Sequence, residues 1–540
     1  MSRILGCAIL VAIIITLLPE YTYASRPTVP TGHVGPYLAP FRAPASSKAG
    51  TWTPLVNRFP GSMPDTALLM NDGTVMMHDG CTPDWYRLYP DSNGSYVTGG
   101  WSGKRSMQSD YAPLYFASAW FFGHLQVAGG EYNGSGCKEQ VMTNKGAFFS
   151  PFGDGGWSPQ RDGPWDRIGD AQSVVLSTIQ PPHSKCQVCW IFAQPESRLI
   201  SLESCGHGDY GKADKNDEEG WTLLPNGSVL TVDTWKGAGG SNSPAELFTP
   251  GGKSERCKWT PTGPTVNSLV DPISHEIGPA LLLVSGRVLQ VGANSCGDGA
   301  NCPGHTGIYD PSAGTWIAGP DFPKISGSYY DVSDGPAALL RNGRVLIQTS
   351  PNFANHYLSP SHFFEFDEGT GTLTQVSEPT SAPNVASFEG RMLELPTGQI
   401  LWSSDVGDVE VYTPDGGPDP SWQPVIQSVP KNLYNGQGNY YYLKGTLLHG
   451  LSEGAAYGDD AQMATNFPLV RITNSTTHHV CYPPTSPYNA NGDYYNTVGY
   501  RGTTWAQIDM TWPFPCEAGE GKLQVVVNGI ASKPVSVTVH

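Results

Sequence analysis

A recurring pair of apolar runs around a glycine constrains the fold of this chain more than any other feature. Each copy has a small or acidic residue, an apolar run, a short turn that ends in glycine, and a second apolar run. The clear copies place their turn glycines at Gly73, Gly227, Gly286, Gly343 and Gly398. Asn-Gly, Asp-Gly and Ser-Gly between apolar runs are typical of two-residue β-hairpin turns, because primed turns need positive φ. Weaker copies begin near Asp110 and Asp170, so the pattern predicts seven hairpins.

Two further strands follow each hairpin. The third strand ends in an aromatic–polar–proline signature, as at Tyr309 to Pro311, and in several copies a strand containing tryptophan follows, as at Trp316. Four strands per repeat of roughly 50 residues predict the blades of a β-propeller. The segment 51–54, which precedes the first hairpin, is expected to complete the last blade. Such a pairing would close the ring and remove its exposed edge.

The repeat stops near Trp422, and the rest of the chain reads as alternating strands. About a hundred residues with such spacings suit an immunoglobulin-like sandwich. The predicted fold class is therefore all-β, with a seven-bladed β-propeller followed by an immunoglobulin-like β-sandwich. The predicted segments are a signal peptide at 1–24, an N-terminal segment at 25–50, the propeller at 51–421 and the sandwich at 422–540.

The first residues predict export. Arg3 is followed by the apolar run 4–18, and the segment 22–24 ends in a small residue, Ala24, just before Ser25. This is the pattern of a cleaved signal peptide. The apolar run is shorter than the roughly 20 residues that a membrane-spanning helix needs. We therefore expect a secreted, extracellular protein with no membrane insertion.

Export makes the cysteines and the glycosylation sequons informative. There are eleven cysteines, and Cys7 lies in the signal peptide, which leaves an even ten and predicts disulfides. Cys296 and Cys302 flank a glycine-rich loop, and Cys481 and Cys516 are alone in the C-terminal part, so each pair is expected to bond. The connectivity stays open for Cys81, Cys137, Cys186, Cys189, Cys205 and Cys257. The candidate glycosylation sites are Asn93, Asn133, Asn226 and Asn474.

The net charge of the chain excludes some classes of binding partner. A net charge of -17 disfavours nucleic acid and anionic membranes, because both repel an acidic surface. It is compatible with metal cations and with neutral sugars.

The hairpins of the type Leu-Pro-x-Gly, the propeller followed by a sandwich, and the terminal segment 527–537 resemble the secreted galactose oxidase and glyoxal oxidase group. The resemblance implies kelch-type blades and one copper ion held by two tyrosines and two histidines. The positions that match the adjacent Tyr-His ligands are Phe388 and Glu389, and the other histidine falls near Gly458. Phenylalanine has no oxygen and glycine has no side chain, so we do not expect copper here.

An acidic residue recurs near the start of each innermost strand. These residues are Asp65, Asp110, Asp170, Glu219, Glu276, Asp334 and Glu389. If the blades are equivalent, these carboxylates face one another around one mouth of the central channel. Asp459 and Asp460 would join them, because they lie on the loop that plugs the channel in the resembled family.

Three interpretations of this acidic ring are open. The carboxylates could bind Ca²⁺ or another divalent cation, which prefers oxygen ligands. Some of them could hold a proton and act in acid–base catalysis, with His275, Glu276, Asp334 and Glu389 as the candidate catalytic residues. Alternatively, each carboxylate accepts backbone hydrogen bonds from the next blade and acts as a structural clasp, since buried charges must be paired.

The sequence favours an extracellular protein that binds carbohydrate, a matrix polymer or a small molecule at the propeller face, near a central acidic site. Trp101, Trp221 and Trp235 are candidate sugar-stacking platforms, with core packing as the favoured interpretation of each. The alternatives are a copper-independent hydrolase, lyase or cyclase that uses the carboxylates, and a divergent copper-radical oxidase. Whether the protein is an enzyme stays open at this point.

Overall fold

The computed structural model describes residues 50–540 apart from 122–123, 135, 152–154, 161, 164, 169–171, 177–189, 194–198, 203–205, 210–211, 213, 237–241, 251–256, 297–301, 353–356, 408, 437, 458–460, 463, 489–496 and 512–515. Within these residues the fold is almost entirely β. The helical elements described are short 3-10 turns at Ala382–Asn384, Ser387–Glu389 and Pro420–Trp422. In this described part of the chain, no helix has the length and apolar character needed to cross a membrane. The proposed signal peptide lies outside the described residues.

The repeating unit is an antiparallel sheet whose four strands follow one another along the chain. Sheet 1 contains Pro64–Leu69, Val75–Asp79, Asp84–Tyr89 and Gly100–Trp101, with Arg105–Ser106 also on its third strand. Sheet 2 contains Ala117–Phe121, His124–Ala128, Gly146–Ser150 and Gly156–Pro159. Sheet 3 contains Ser173–Val175, Trp190–Ala193, Leu199–Leu202 and Gly206–Asp209. A two-stranded sheet pairs Pro113–Leu114 with Tyr132–Asn133.

The same order of strands continues along the chain. Sheet 4 contains Thr222–Leu223, Val229–Val232, Ala245–Thr249 and Lys258–Pro261. Sheet 5 contains Ala280–Leu282, Val288–Val291, Thr306–Asp310 and Thr315–Ala318, and the hairpin Ala455–Tyr457 and Ala461–Gln462 extends it. Sheet 6 contains Ala337–Leu339, Val345–Pro351, His362–Asp367 and Thr372–Gln375, with Tyr330–Asp331 beside its second strand.

Sheet 7 takes its fourth strand from the other end of the repeat region. Its strands are Gly390–Glu394, Ile400–Ser404, Val409–Thr413 and Thr51–Pro54. Thr51 lies opposite Thr413 and Trp52 opposite Tyr412 in an antiparallel register. The Trp52 ring packs 6.0 Å from Trp402, so the strand is held by side chains as well as by its hydrogen bonds.

The first strands of successive sheets lie side by side. The first strand of sheet 7 contacts those of sheets 1 and 6, and the contacts continue from sheet 6 to sheet 5 and from sheet 5 to sheet 4. The first strands of sheets 2 and 3 also touch. Large side chains that are fully buried pack between the sheets, among them Trp85, Trp221 and Trp402. The turns that lead into these first strands are therefore brought close to one another.

The hairpin turns differ in type from the predicted two-residue turns. In the first hairpin the Gly73 N–H donates to the Met70 carbonyl and the Met70 N–H donates to the Thr74 carbonyl, at 3.0 and 2.8 Å. Gly73 has φ +73°, whereas Asp72 is not left-handed. This is a three-residue loop in which a type I turn is followed by a left-handed glycine. Glycine is still required, because other residues adopt this φ only with strain.

The C-terminal residues form two sheets that share one core. Sheet 8 has the strand order Val425–Ser428, Tyr440–Thr446, Thr503–Asp509 and Thr485–Tyr488. Sheet 9 has the order Asn432–Leu433, Val535–Val539, Gly519–Val527, Leu469–Asn474 and Val480–Cys481, with Ile530–Ala531 on its third strand. Leu443 and Ile508 from sheet 8 are buried in the same apolar cluster as Val470 and Leu523 from sheet 9.

Three disulfides lie within the described residues, one across a short loop and two between more distant parts of the chain. Cys481 bonds to Cys516 beside the shared core of sheets 8 and 9, and Cys296 bonds to Cys302 across a short loop. These are the two pairs that the cysteine spacing predicts. A third bond, Cys81–Cys137, links the region of sheet 1 to that of sheet 2. Cys186, Cys189 and Cys205 lie outside the described residues.

Candidate functional site

The structure brings several predicted site residues together at the entry to sheets 5 and 6. His275 and Glu276 lie on the turn before the first strand of sheet 5, and Asp334 lies just before the first strand of sheet 6. Tyr357 lies between the second and third strands of sheet 6, and Trp235 follows the second strand of sheet 4. We call these five residues the rim cluster.

The turn that carries His275 and Glu276 is fixed by Asp271. The Asp271 carboxylate accepts the N–H groups of Ile273 and Ser274 at 2.7 and 3.0 Å, and the His275 N–H donates to the Asp271 carbonyl at 3.1 Å. His275 has φ +67° as a result. A left-handed conformation costs a non-glycine residue on the order of 1–3 kcal/mol, and such strain is concentrated at functional sites.

Asp334 repeats this backbone conformation on the neighbouring sheet. Its φ is +55°, and its N–H donates to the carbonyl of Ile277, next to Glu276, at 3.3 Å. This hydrogen bond joins the two entry turns. It therefore holds the Asp334 and Glu276 side chains in one neighbourhood.

Tyr357 contacts Glu276 and lies within the electrostatic influence of Asp334. Its hydroxyl donates to Glu276 Oε1 at 3.0 Å, and its ring meets Phe388 edge-on with 5.5 Å between the ring centroids. Burial, Glu276 and Asp334 all raise the pKa of Tyr357, so the phenol keeps its proton as a donor. The side chain remains 37% exposed, which leaves part of its ring open to a ligand.

Trp235 fills the space next to His275. The two rings stack with 3.7 Å between centroids and 10° between planes, and Lys215 Nζ lies 3.5 Å from the Trp235 centroid. Two groups this close to one ring must lie on opposite faces. His275 Nδ1 is 3.2 Å from the Thr234 carbonyl, which can only accept, so Nδ1 carries a hydrogen and the lone pair of the neutral ring is on Nε2.

Glu219 belongs to a second group, which we call the Lys212 cluster, in which Lys212, Glu219 and Asp233 are buried and Asp214 is partly buried. The Lys212 ammonium forms ion pairs with Glu219, with Asp214 and with Asp233, the last at 3.0 Å. Burial raises the pKa of Asp233 to about 7 and also raises the pKa of Glu219. The three carboxylates offer ligand atoms within 4.8 Å of one another, a spacing suited to a metal ion, but the ammonium already supplies a positive charge there.

The two groups are connected through Asp214. The second oxygen of its carboxylate accepts the N–H groups of Trp235 and Lys236 at 3.1 and 2.6 Å. The charge balance of the Lys212 cluster is thus linked directly to the backbone that positions the Trp235–His275 stack.

Asp65 is paired across two sheets. Its buried carboxylate lies 3.0 Å from Arg391 Nε on sheet 7 and 3.5 Å from His78 Nδ1 on sheet 1. Burial alone would raise the pKa of Asp65, but Arg391 and then His78 more than offset it, so the pKa is lowered. The Asp65–Arg391 ion pair links the first strand of sheet 1 to the first strand of sheet 7.

The remaining predicted acids lie apart from the rim cluster or outside the description. Asp110 is 66% exposed at its side chain and pairs with Lys145, and Glu389 accepts the Ala386 N–H at 2.7 Å. Asp170, Asp459 and Asp460 lie outside the described residues. The structure therefore brings Glu276 and Asp334 together around Tyr357, and gives Asp65, Asp110, Glu219 and Glu389 separate partners.

The three candidate stacking tryptophans are engaged in packing. Trp221 is buried, the Trp101 indole donates to the Asn57 carbonyl at 3.0 Å, and Trp235 has groups on both faces. Among the candidate glycosylation sites, Asn93 and Asn226 are exposed. Asn474 is buried and its amide donates to the Ala518 carbonyl at 3.3 Å.

Two of the positions that the resemblance assigns to copper ligands are described. The Phe388 ring packs in a T-shaped arrangement with Tyr357, and the Glu389 carboxylate accepts the Ala386 N–H of its own turn. Gly458 lies outside the described residues.

Comparison with known proteins gives matches at the level of solved structures. A fungal alcohol oxidase of the AA5 family, solved with copper, is 13% identical over 91% of this chain and 100% of its own, with a TM-score of 0.46. A streptogramin B lyase is 11% identical over 68% of this chain and 98% of its own, with a TM-score of 0.42. The protein YjhT is 11% identical over 60% and 99%, with a TM-score of 0.37. No protein-family model and no curated protein matches the sequence.

Proposed function

We propose that this chain is a secreted binding protein that holds a neutral, hydroxyl-rich ligand on the rim cluster. In this proposal sheets 1–7 are the blades of one closed propeller spanning 51–421, and sheets 8 and 9 are an immunoglobulin-like sandwich spanning 422–540. The signal peptide at 1–24 and the disulfides support export. The observation that carries the proposal is the convergence of Glu276 and Asp334 on the partly exposed Tyr357.

The chemistry of the rim cluster favours a sugar. Carboxylates accept hydrogen bonds from hydroxyl groups, and charge-assisted hydrogen bonds are the strong ones. The exposed part of the Tyr357 ring offers an apolar surface to the C–H face of a pyranose. The net charge of -17 works against an anionic ligand. A Ca²⁺ ion bound by Glu276 and Asp334 would bridge the same hydroxyls.

Acid–base catalysis at the same residues is the second candidate. Its support is the neighbouring pair His275 and Glu276, since the contact of His275 Nδ1 with the Thr234 carbonyl places the lone pair of a neutral imidazole on Nε2. A general base needs a proton acceptor placed within hydrogen-bond reach of the substrate. Turnover of a bound sugar would favour this candidate over binding alone.

Calorimetric titration with neutral oligosaccharides of glucose, galactose and N-acetylglucosamine tests the proposal. We expect saturable binding by the full secreted protein. Glu276→Gln and Asp334→Asn should each weaken it by about tenfold or more, because each loses a charged acceptor worth about 1.5–3 kcal/mol. Asp110→Asn, which changes an acid outside the rim cluster, is the matched control and should leave the affinity unchanged.

Two measurements separate the alternatives. Loss of binding with a chelator and its return with Ca²⁺ would show that a cation bridges the ligand. Stoichiometric copper in the purified protein, with oxygen consumption on an alcohol substrate, would replace the proposal with an oxidase. Equal affinity of the wild type and the Glu276 and Asp334 variants would move the ligand away from the rim cluster.

A further inference from the structure

We propose that the outward face of sheet 8 is a second, independent binding surface, and that it takes an uncharged polysaccharide chain. The surface consists of Tyr440, Tyr442 and Lys444 on one strand and Trp505, Gln507 and Asp509 on the next, and we call it the aromatic strip. It lies in the C-terminal region and shares no residue with the rim cluster.

The register of the two strands places the six side chains on one face. Tyr440 lies opposite Asp509, Tyr442 opposite Gln507, and Lys444 opposite Trp505. Side chains alternate between the faces of a strand. The intervening residues Leu443, Ala506 and Ile508 are fully buried in the core shared with sheet 9, so the aromatic strip faces away from that core.

Two of the three aromatic residues on this face are exposed, and Trp505 is half-buried. Tyr440 is 48% and Tyr442 is 52% exposed, whereas Tyr441, between them, packs against the core. Single exposed apolar residues are ordinary, but a contiguous exposed patch marks an interaction site. Tyrosine and tryptophan are the residue types that combine a flat apolar surface with a polar edge.

The aromatic strip has the length and flatness that suit a polymer. Tyr440 and Tyr442 are two residues apart on a strand, which separates them by about 6.8 Å. Trp505 is the diagonal neighbour of Tyr442 on the next strand, about 7–8 Å away. The three rings therefore extend over about 14 Å along the sheet, enough to contact more than one ring of a sugar chain.

Polar groups on the aromatic strip orient the rings. Gln507 Nε2 donates to the Tyr442 hydroxyl at 3.0 Å, and Lys444 Nζ lies 5.3 Å from the Trp505 ring centroid. Asp509 accepts the N–H and O–H of Thr511 at 2.8 and 2.6 Å. These contacts restrict the side chains before any ligand arrives, which lowers the entropy cost of binding.

The charge of the strip selects an uncharged partner. Lys444 and Asp509 balance each other, so the face presents hydroxyl, amide and aromatic groups with no net charge. The whole chain carries -17, which repels acidic polysaccharides. A neutral polymer with hydroxyl groups at its edges and C–H groups on its faces complements both the polar and the apolar parts of the strip.

Co-sedimentation of the full secreted protein with microcrystalline cellulose and with chitin tests the proposal. We expect the wild type to bind at least one of these neutral polymers, and Tyr442→Ala with Trp505→Ala to weaken binding by about tenfold or more, because two flat apolar contacts with the polymer are lost. Tyr440→Ala with Tyr442→Ala is a second variant, which removes only exposed rings, leaves Trp505 in place and should also weaken binding by about tenfold.

Tyr434→Ala is the matched control, because Tyr434 is 51% exposed in the same region but stacks on His540 outside the strip. It should leave polymer binding unchanged, as should the rim variant Glu276→Gln, which separates failure of this proposal from failure of the rim-cluster ligand. No binding to either polymer, equal binding by the strip variants, stronger retention on polygalacturonate, or a wild-type dimer that these variants convert to monomer would overturn the proposal.

Discussion

Glu394 shows how a single buried carboxyl group makes this fold sensitive to pH. The residue ends the first strand of sheet 7, and the hydroxyl of Thr465, which precedes the strand Leu469–Asn474 of sheet 9, donates to its carboxyl at 3.0 Å. Burial raises the pKa of Glu394 to about 8, from an ordinary value near 4.5. The protonated form is therefore the one that the folded protein stabilises.

The stability of the protein should fall as the pH rises from about 4.5 towards 8. Over this range the folded state keeps a proton on Glu394 that the unfolded state has lost, so raising the pH favours unfolding. Glu394→Gln keeps a neutral group of similar shape and should flatten this part of the profile. Thermal melting of both proteins between pH 5 and 9 checks it, and parallel pH profiles would contradict the assignment.

Lys212 marks the limit of what residue patterns predict. It stands in a segment rich in lysine, aspartate and glutamate, 212–219, a composition typical of a solvated loop. In the structure its ammonium is fully buried among Asp214, Glu219 and Asp233. The sequence singled out Glu219 but offered no sign of its cation, because burial of a charged run depends on packing between sheets that are distant in sequence.

At the scale of elements, the turn glycines hold the hairpins in place. Gly343 has φ +84°, and a Cβ added there would come within 2.5 Å of the Trp422 ring. Gly371 has a similar φ of +66° but open space around it. A side chain at either position would strain the backbone, but only a side chain at Gly343 would also clash with a neighbour.

Gly343→Ala should therefore destabilise the protein more than Gly371→Ala. The left-handed backbone costs each alanine about 1–2 kcal/mol, and the clash at Trp422 adds to the cost at Gly343 alone. Urea unfolding of the two variants beside the wild type measures the difference. An equal decrease in the free energy of unfolding for both variants would mean that the Trp422 side chain moves aside without an energetic penalty.

The hairpins could be located from sequence because their signals are local. A glycine after a polar residue between two apolar runs places the turn to within a residue. The type of turn was wrong, because a left-handed glycine occurs both in primed two-residue turns and in the three-residue loops seen here. Glu276 and Asp334 were singled out by their position before an inner strand. Tyr357 was not, since it comes from a loop with no repeat signal.

For the whole molecule, the decisive contact is the pairing of Thr51–Pro54 with Val409–Thr413. A chain that begins at Leu55 lacks this strand and leaves the third strand of sheet 7 with an unpaired edge. Such an edge promotes association between molecules. We expect this chain to melt at a lower temperature and to form oligomers, in contrast to a chain that begins at Gly50.

Size-exclusion chromatography measures the oligomeric state, and thermal melting measures the stability, of the chains that begin at Leu55 and at Gly50. Trp52→Ala keeps the strand but removes its packing against Trp402 and its indole donor to the Ser377 carbonyl, and should fall between them. A monomer with an unchanged melting temperature after removal of 50–54 would contradict a closed ring.

The pairing of the two chain segments also sets an order of events during synthesis. The Gly50 N–H donates to the Tyr412 hydroxyl across 362 residues, so Thr51–Pro54 stays unpaired until Val409–Thr413 has been synthesised. At about 5–20 residues per second this delay is about 20–70 seconds. During that interval the strand Thr51–Pro54 of the nascent chain is unpaired. A chaperone that covers this strand would therefore raise the yield of native protein.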